Sequence, residues 1–290
     1  SNDTNSIIKG GKIKINNNDL VKDGEGNLTL ENNIEVINNN VRINEGLLTI
    51  NGNLITNNLI VETGGTLGGK GMVESDVQVL GTLASGTSPD TLNITGDLTL
   101  DAGSTTEVEI ESLANFDRTI ATGDITLDGT LTASIFGTGS IAFGNKYDVF
   151  QSTGGTITGE FATYNAPTNF RIRLLNDGST ASLRLAPETY TLMALTQNQF
   201  NVAAALDAFI PATSGDALDV STALDALAAA QYPAAFQQIM PYFYESVADV
   251  LLEQSFYQTE RIQQRLSLSR SVRRTASAEE TDAGNSVEVP

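Results

Sequence analysis

Short apolar–polar–apolar triplets recur through the first hundred residues: Ile13-Lys14-Ile15, Leu28-Thr29-Leu30, Ile34-Glu35-Val36, Val41-Arg42-Ile43, Leu48-Thr49-Ile50, Leu59-Ile60-Val61, Val77-Gln78-Val79, Leu92-Asn93-Ile94 and Leu98-Thr99-Leu100. Alternation with period two predicts strands with one buried face. Between the triplets lie Asn, Gly and Asp, which tolerate the backbone of tight turns. In the most regular stretch the triplets begin at 28, 34, 41 and 48, so three strands take about 20 residues and Leu28 should stand above Leu48. A repeat of that length predicts a solenoid. Leucine-rich repeats would need a consensus Asn and a helical return, and propeller blades are longer and carry aromatic signatures. A parallel β-helix remains, with like residues stacked in ladders inside a narrow tube and the Asn runs (16–18, 38–40, 57–58) at its corners.

The pattern changes along the chain. Residues 1–187 are rich in Gly, Asn, Thr and aliphatic residues, and no aromatic occurs before Phe116. Aromatics supply much of an ordinary globular core, so their absence also points to a tube. From 188 to 268 the composition turns to Ala, Gln and Leu. Leu195, Val202, Leu206 and Phe209 recur at helical spacing, and Leu218, Ala223, Leu224 and Leu227 predict a second helix. Pro233 and Pro241 suit helix first turns. A last helix is expected over about 241–268 with Phe243, Val247, Val250, Leu251 and Ile262 on one side. Residues 269–290 lack periodicity and read as a flexible tail. The expected organisation is a mainly β chain: a right-handed parallel β-helix over 1–187, a small α-helical domain over 188–268, and the tail.

Composition narrows the chemistry. The 290 residues include no Cys and no His, with 35 Asp plus Glu against 16 Lys plus Arg, a formal net charge of −19. A Ser-His-Asp triad, a Cys nucleophile, a disulfide and an ordinary zinc site are therefore excluded. The acidity argues against nucleic acid as a partner. No run of about 18 apolar residues predicts a membrane-spanning helix. The first residues carry no secretory signal, so Ser1 reads either as a mature terminus or as a boundary within a longer sequence.

From residue 62 the order of motifs becomes specific. Glu62-Thr63-Gly64-Gly65-Thr66-Leu67-Gly68-Gly69-Lys70-Gly71 leads to Val73–Val77, then Gly81-Thr82-Leu83-Ala84-Ser85-Gly86-Thr87-Ser88-Pro89-Asp90-Thr91-Leu92 and Gly96-Asp97-Leu98. Gly103-Ser104-Thr105-Thr106-Glu107-Val108, Gly129-Thr130-Leu131, Lys146–Phe150 and Gly154–Phe161 follow in turn. The helical segment reads Asn198-Gln199 through Asp207, Gly215-Asp216, Leu224 to Leu227 and Ala234–Tyr244. In this order, over about residues 60–270, the chain resembles the C-terminal passenger region and helical linker of type V bacterial autotransporters. Ser85 stands where that pattern has Pro, and Asp90 where it has Gly. The resemblance implies a β-helix stalk on a bacterial cell surface, attached to the outer membrane by a C-terminal β-barrel translocator. That barrel would have to follow Pro290; the other reading is a protein of this kind without one.

Candidate sites are few. Glu107, Glu109 and Glu111 alternate, so they share one strand face with Val108 and Ile110 turned inward, which predicts a solvated acidic face. Arg171 and Arg173 alternate beside Phe170 and Ile172 and are expected to decorate the outside of the last coil. Arg270, Arg273 and Arg274 form the one basic cluster, a solvated linker or a protease-accessible site. Tyr242, Phe243 and Tyr244 are expected to pack at a helix start. The Asn runs are turn formers; a calcium role would need a recurrent Gly-Gly-x-Gly-x-Asp array, which is missing. No catalytic, cofactor-binding or metal-ligating residue is assigned. The reading is a monomeric, non-enzymatic stalk and folding nucleus with a role in adhesion to a host or cell-surface ligand. The alternatives are a β-helix lyase or hydrolase acting on acidic polysaccharide, and a secreted protein-binding module.

Overall fold

The computed structural model describes residues 6–8, 13–16, 18–86, 89–138, 141–239, 253–268 and 270. The chain is mainly β, a parallel β-solenoid of about six turns followed by a few short helices. It falls into two compact units, Ser1–Gln238 and Ile239–Pro290.

Three stacks of strands form the faces of the tube. On the first, Ile13, Ile34, Leu54, Val73, Ile94 and Ala121 stand in parallel register. On the second the rungs are Leu20, Val41, Leu59, Val77, Leu98, Ile125 and Ile157. On the third they are Leu28, Leu48, Leu67, Leu83, Thr106, Leu131 and Tyr164. Leu28 thus stands over Leu48 as the spacing predicts. From Ile34 to Leu131 the aliphatic rungs are almost entirely sequestered, and they form one continuous core. A strand buried by its neighbours above and below needs no large side chain, which is why the aromatic-free coils close. Asn38 takes a left-handed backbone at a corner (φ 59°), a conformation that Asn adopts at low cost. The Asn57-Asn58 pair sits where the register between Asn53–Gly69 and Met72–Val79 shifts.

The C-terminal end departs from expectation. The sequence predicts parallel stacking to residue 187, but it stops at Ile157–Gly159 and Thr163–Asn165. Strands Phe170–Asn176 and Thr180–Pro187 form an antiparallel hairpin instead. Thr180–Pro187 also pairs antiparallel with Lys146–Ser152, extending the first face. The Asn176-Asp177-Gly178-Ser179 turn explains the reversal. Asp177 Oδ1 accepts the N–H groups of Ser179 and Thr180, and Gly178 has φ +91°, so the chain folds back before another coil can start. The hairpin occupies the edge of Lys146–Ser152, which would otherwise offer unpaired backbone groups to another chain. The aromatics collect here: Tyr147, Phe150 and Phe161 are buried, with Phe150 and Phe161 6.0 Å apart and Phe161 and Tyr164 5.9 Å apart.

Three helices follow: α1 (Gln197–Asp207), α2 (Gly215–Asp225) and α3 (Tyr232–Ile239). The Thr196 side chain accepts the Gln199 N–H and starts α1; Pro233 lies in the first turn of α3. A second core of Tyr190, Ala203, Leu206, Leu224, Tyr232 and Phe236 joins them. Leu195, expected on the first helix, precedes α1 and is 77% exposed, because the Thr196 cap begins the helix after it. In the second unit residues 253–268 are helical and exposed along their length. Tyr242, Phe243, Tyr244, Val247, Val250, Leu251, Arg273 and Arg274 lie outside the described residues, as does most of the 269–290 tail.

Candidate functional site

The most elaborate polar constellation lies where the terminal hairpin meets α2. Strand alternation puts Arg171 and Arg173 on the same side of Phe170–Asn176. They do not decorate a solvated outer surface. Arg171 and Arg173 are 15% and 14% exposed, and both bind Asp225, whose side chain is wholly buried. Arg171 makes a bidentate pair, Nη1 to Oδ2 at 2.8 Å and Nη2 to Oδ1. Arg173 Nε donates to Oδ2 at 2.5 Å and its Nη2 to Ser221 Oγ at 2.9 Å. The alternation was legible in sequence, but nothing in it named the partner, because Asp225 lies more than fifty residues away on another element.

Helix periodicity sets the acceptor side. Ser221 and Asp225 are four residues apart, hence on one face of α2. A carboxylate in the last helical turn faces the negative end of the helix dipole. Two guanidiniums offset that cost. Tyr190 completes the cluster: its hydroxyl donates to Asp225 Oδ1 at 2.8 Å, lies 3.1 Å from the Ser221 carbonyl, and accepts from Arg171 Nη2 at 2.9 Å. The Arg171 guanidinium also lies over the Tyr190 ring, 5.3 Å from its centre. The Tyr190 N–H donates to Asp207 Oδ1 at 2.6 Å, tying in the end of α1. Tyr232, from α3, donates to the Leu224 carbonyl at 2.8 Å. The turn at Gly144 approaches α2 so closely that a Cβ there would lie 2.8 Å from the Ala226 and Leu227 carbonyl oxygens, and its φ is +84°. Chemically, this is a clamp: both Asp225 oxygens are spent on donors.

Burial pushes the Tyr190 and Tyr232 phenols above their ordinary value of 10.0, and the Asp225 charge pushes them further. Their folded-state values exceed the unfolded ones, so the stabilisation is complete below pH 10 and is lost as pH rises through the folded values. Tyrosinate absorbance during an alkaline titration should therefore show Tyr190 and Tyr232 ionising only together with unfolding. Free ionisation near pH 10 with the helices intact would contradict the clamp.

A second polar array follows one corner of the solenoid. Asp76 Oδ1 accepts the Asp97 N–H at 2.9 Å, Asp97 Oδ1 accepts the Asp124 N–H at 2.8 Å, and Asp124 Oδ1 accepts the Thr156 N–H at 2.7 Å. Each carboxylate ties its coil to the next. Gly123 is required in this ladder, since a Cβ there would collide with Asp97 Oδ1 and the Gly96 backbone. The recurrence of Ser75-Asp76, Gly96-Asp97 and Gly123-Asp124 was the available sequence signal. Among the described residues no group of three or more acidic side chains is arranged to hold a metal ion.

Glu107 and Glu109 lie on strand Thr105–Ile110 with Val108 and Ile110 inside the tube, as the alternation predicts. Glu111 lies past the strand end and binds the Asn115 side chain. The structure does not draw these three carboxylates together with Arg171 or Arg173. No described helix is long and apolar enough to cross a membrane. The chain matches no protein-family model and no curated protein.

Proposed function

We propose that this chain is the C-terminal passenger region of a type V autotransporter, a non-enzymatic stalk that spaces an adhesive surface away from a bacterial outer membrane and nucleates folding of the passenger. The observation that carries the reading is the asymmetry of the solenoid. Its early coils hold only aliphatic ladders, whereas its C-terminal end concentrates aromatic burial, an antiparallel hairpin and a helical clamp. A solenoid folds by nucleation and propagation from its most stable repeats. The end best able to nucleate is the one nearest the β-barrel translocator expected beyond Pro290. The order of motifs from Gly64 to Tyr244 supports the same family. The stalk sits at the cell surface or is released outside the cell, as a monomer, with its ligand a host or cell-surface molecule.

Hydrogen exchange on the whole chain tests the nucleus. Residues 120–187 should open most slowly and residues 1–60 most rapidly. The reverse order would remove that role. Placing the chain ahead of an outer-membrane β-barrel tests the location: it should become accessible to protease added outside intact cells, and retention inside would overturn the passenger reading.

A further inference from the structure

The outer side of the C-terminal sheet gathers cations. Tyr147, Leu183 and Leu185 enter the solenoid core, and Ile172 and Leu174 pack against it, so the alternate residues of the same strands point outward. Antiparallel register sets Lys146 opposite Arg184, and Arg184 opposite Arg173. Side chains directly opposite one another share a face, with Cβ atoms about 5 Å apart. Arg184 therefore stands between two like charges, with Arg171, opposite Ala186, in the next outward row.

The neighbours have counter-charges and Arg184 does not. Lys146 Nζ lies 3.1 Å from Asp148 Oδ1, and Arg171 and Arg173 share Asp225. Elsewhere in the first unit Lys14, Arg42 and Lys70 pair with Glu35, Glu62 and Asp90. Lys22 Nζ is held by three backbone carbonyls, and Arg118 Nε donates to the Asp148 carbonyl at 3.2 Å. Among the described cations of that unit, Arg184 alone has neither an ion pair nor a side-chain hydrogen bond. Its side chain is half-buried, and Nε is shielded from solvent. Desolvating a guanidinium beside like charges is unfavourable until an anion joins it. The paired rows and α2 together set four cations against Asp148 and Asp225, so two positive charges are left over on a chain whose formal net charge is −19.

We infer that Arg184 anchors an oxyanion site that takes a phosphate group, with Lys146 beside it. This site goes beyond the stalk reading and does not depend on it. A guanidinium fork meets two phosphate oxygens at once. Arg184 lies on a strand paired on both sides, so the sheet and not a loop holds the fork in place. A phosphate monoester carries about 1.5–2 negative charges near neutral pH, close to the surplus on this face, whereas a carboxylate carries one. A free phosphate ion and a phosphate ester displayed on a larger surface molecule present the same oxygens.

The test is NMR of the arginine Nε–Hε groups of the intact chain, titrated with inorganic phosphate at constant ionic strength. The Arg184 signal should move and saturate, while those of Arg42 and Arg118 stay in place. Glucose 6-phosphate, run in parallel, reads the ester: saturation by both probes marks a site open to an esterified phosphate, and saturation by inorganic phosphate alone marks a site for the free ion. At about ten times the measured dissociation constant, phosphate should raise the melting temperature by on the order of 3 °C. In Arg184→Gln that rise should vanish. If the variant does not fold, the wild-type titration decides. An Arg184 signal that stays still, one that acetate moves as far as phosphate does, or an equal rise in melting temperature in both chains would overturn the site.

Discussion

Replacing Asp225 with Ala should destabilise the chain by about 3–5 kcal/mol, the cost of leaving buried cations without a counter-charge. Arg171 and Arg173 would both lose their partner, and Tyr190 would lose its acceptor. For a unit of this size the loss lowers the melting temperature on the order of 10 °C. Circular dichroism during heating measures it, and exchange should show α1–α3 opening before the solenoid. Asp225→Asn keeps the shape and one acceptor oxygen, so its loss should be smaller. Replacing all three charged residues with Leu and Met of similar volume should recover much of the stability, because the ions no longer have to be desolvated. A loss below about 1 kcal/mol for Asp225→Ala, the value typical of exposed pairs, would show that the cluster is hydrated and the clamp is not structural.

Phe150→Ala should cost about 3–5 kcal/mol, as expected for emptying a buried aromatic site. Phe150 is 1% exposed, packs against Phe161, and pairs with Thr119 on one side and Ala181 on the other. The solenoid cannot collapse around the void, because each rung is held in register by the coils above and below. Leu54→Ala, in the aliphatic coils, should cost about 2–5 kcal/mol. The informative difference is kinetic. If the C-terminal coils nucleate folding, Phe150→Ala slows refolding, whereas Leu54→Ala mainly speeds unfolding. Stopped-flow refolding of the two variants separates the cases, and slowed refolding in Leu54→Ala alone would place the nucleus in the early coils.

The two variants also bear on how a chain with no aromatic before Phe116 stays folded. Its early coils depend on ladders such as Val41, Leu59 and Val77, each rung sequestered by its neighbours. The corner carboxylates Asp76, Asp97 and Asp124 supply acceptors to the following coil, so that the turns as well as the faces are in register.

Local pattern alone determined the coils. Period-two alternation marks which side chains enter a tube, and Asn, Gly and Asp mark where it bends; both signals lie within a few residues. Hence Leu28 over Leu48 and the inward Val108 and Ile110 were legible before any coordinates. Helices α1 and α2 were legible for the same reason. Only the tertiary structure decided how the tube ends. The alternating residues of Phe170–Asn176 and Thr180–Pro187 suit a parallel coil or an antiparallel hairpin equally well; the Asp177-centred turn and pairing with Lys146–Ser152 select the hairpin. Arg171 and Arg173 carry the same local pattern whether they face water or Asp225, and the choice rests on where α2 docks. Asp117 is likewise an ordinary polar residue in sequence. Its two backbone donors, the N–H groups of Asp90 and Glu109, come from separate segments that converge only once the coils are stacked.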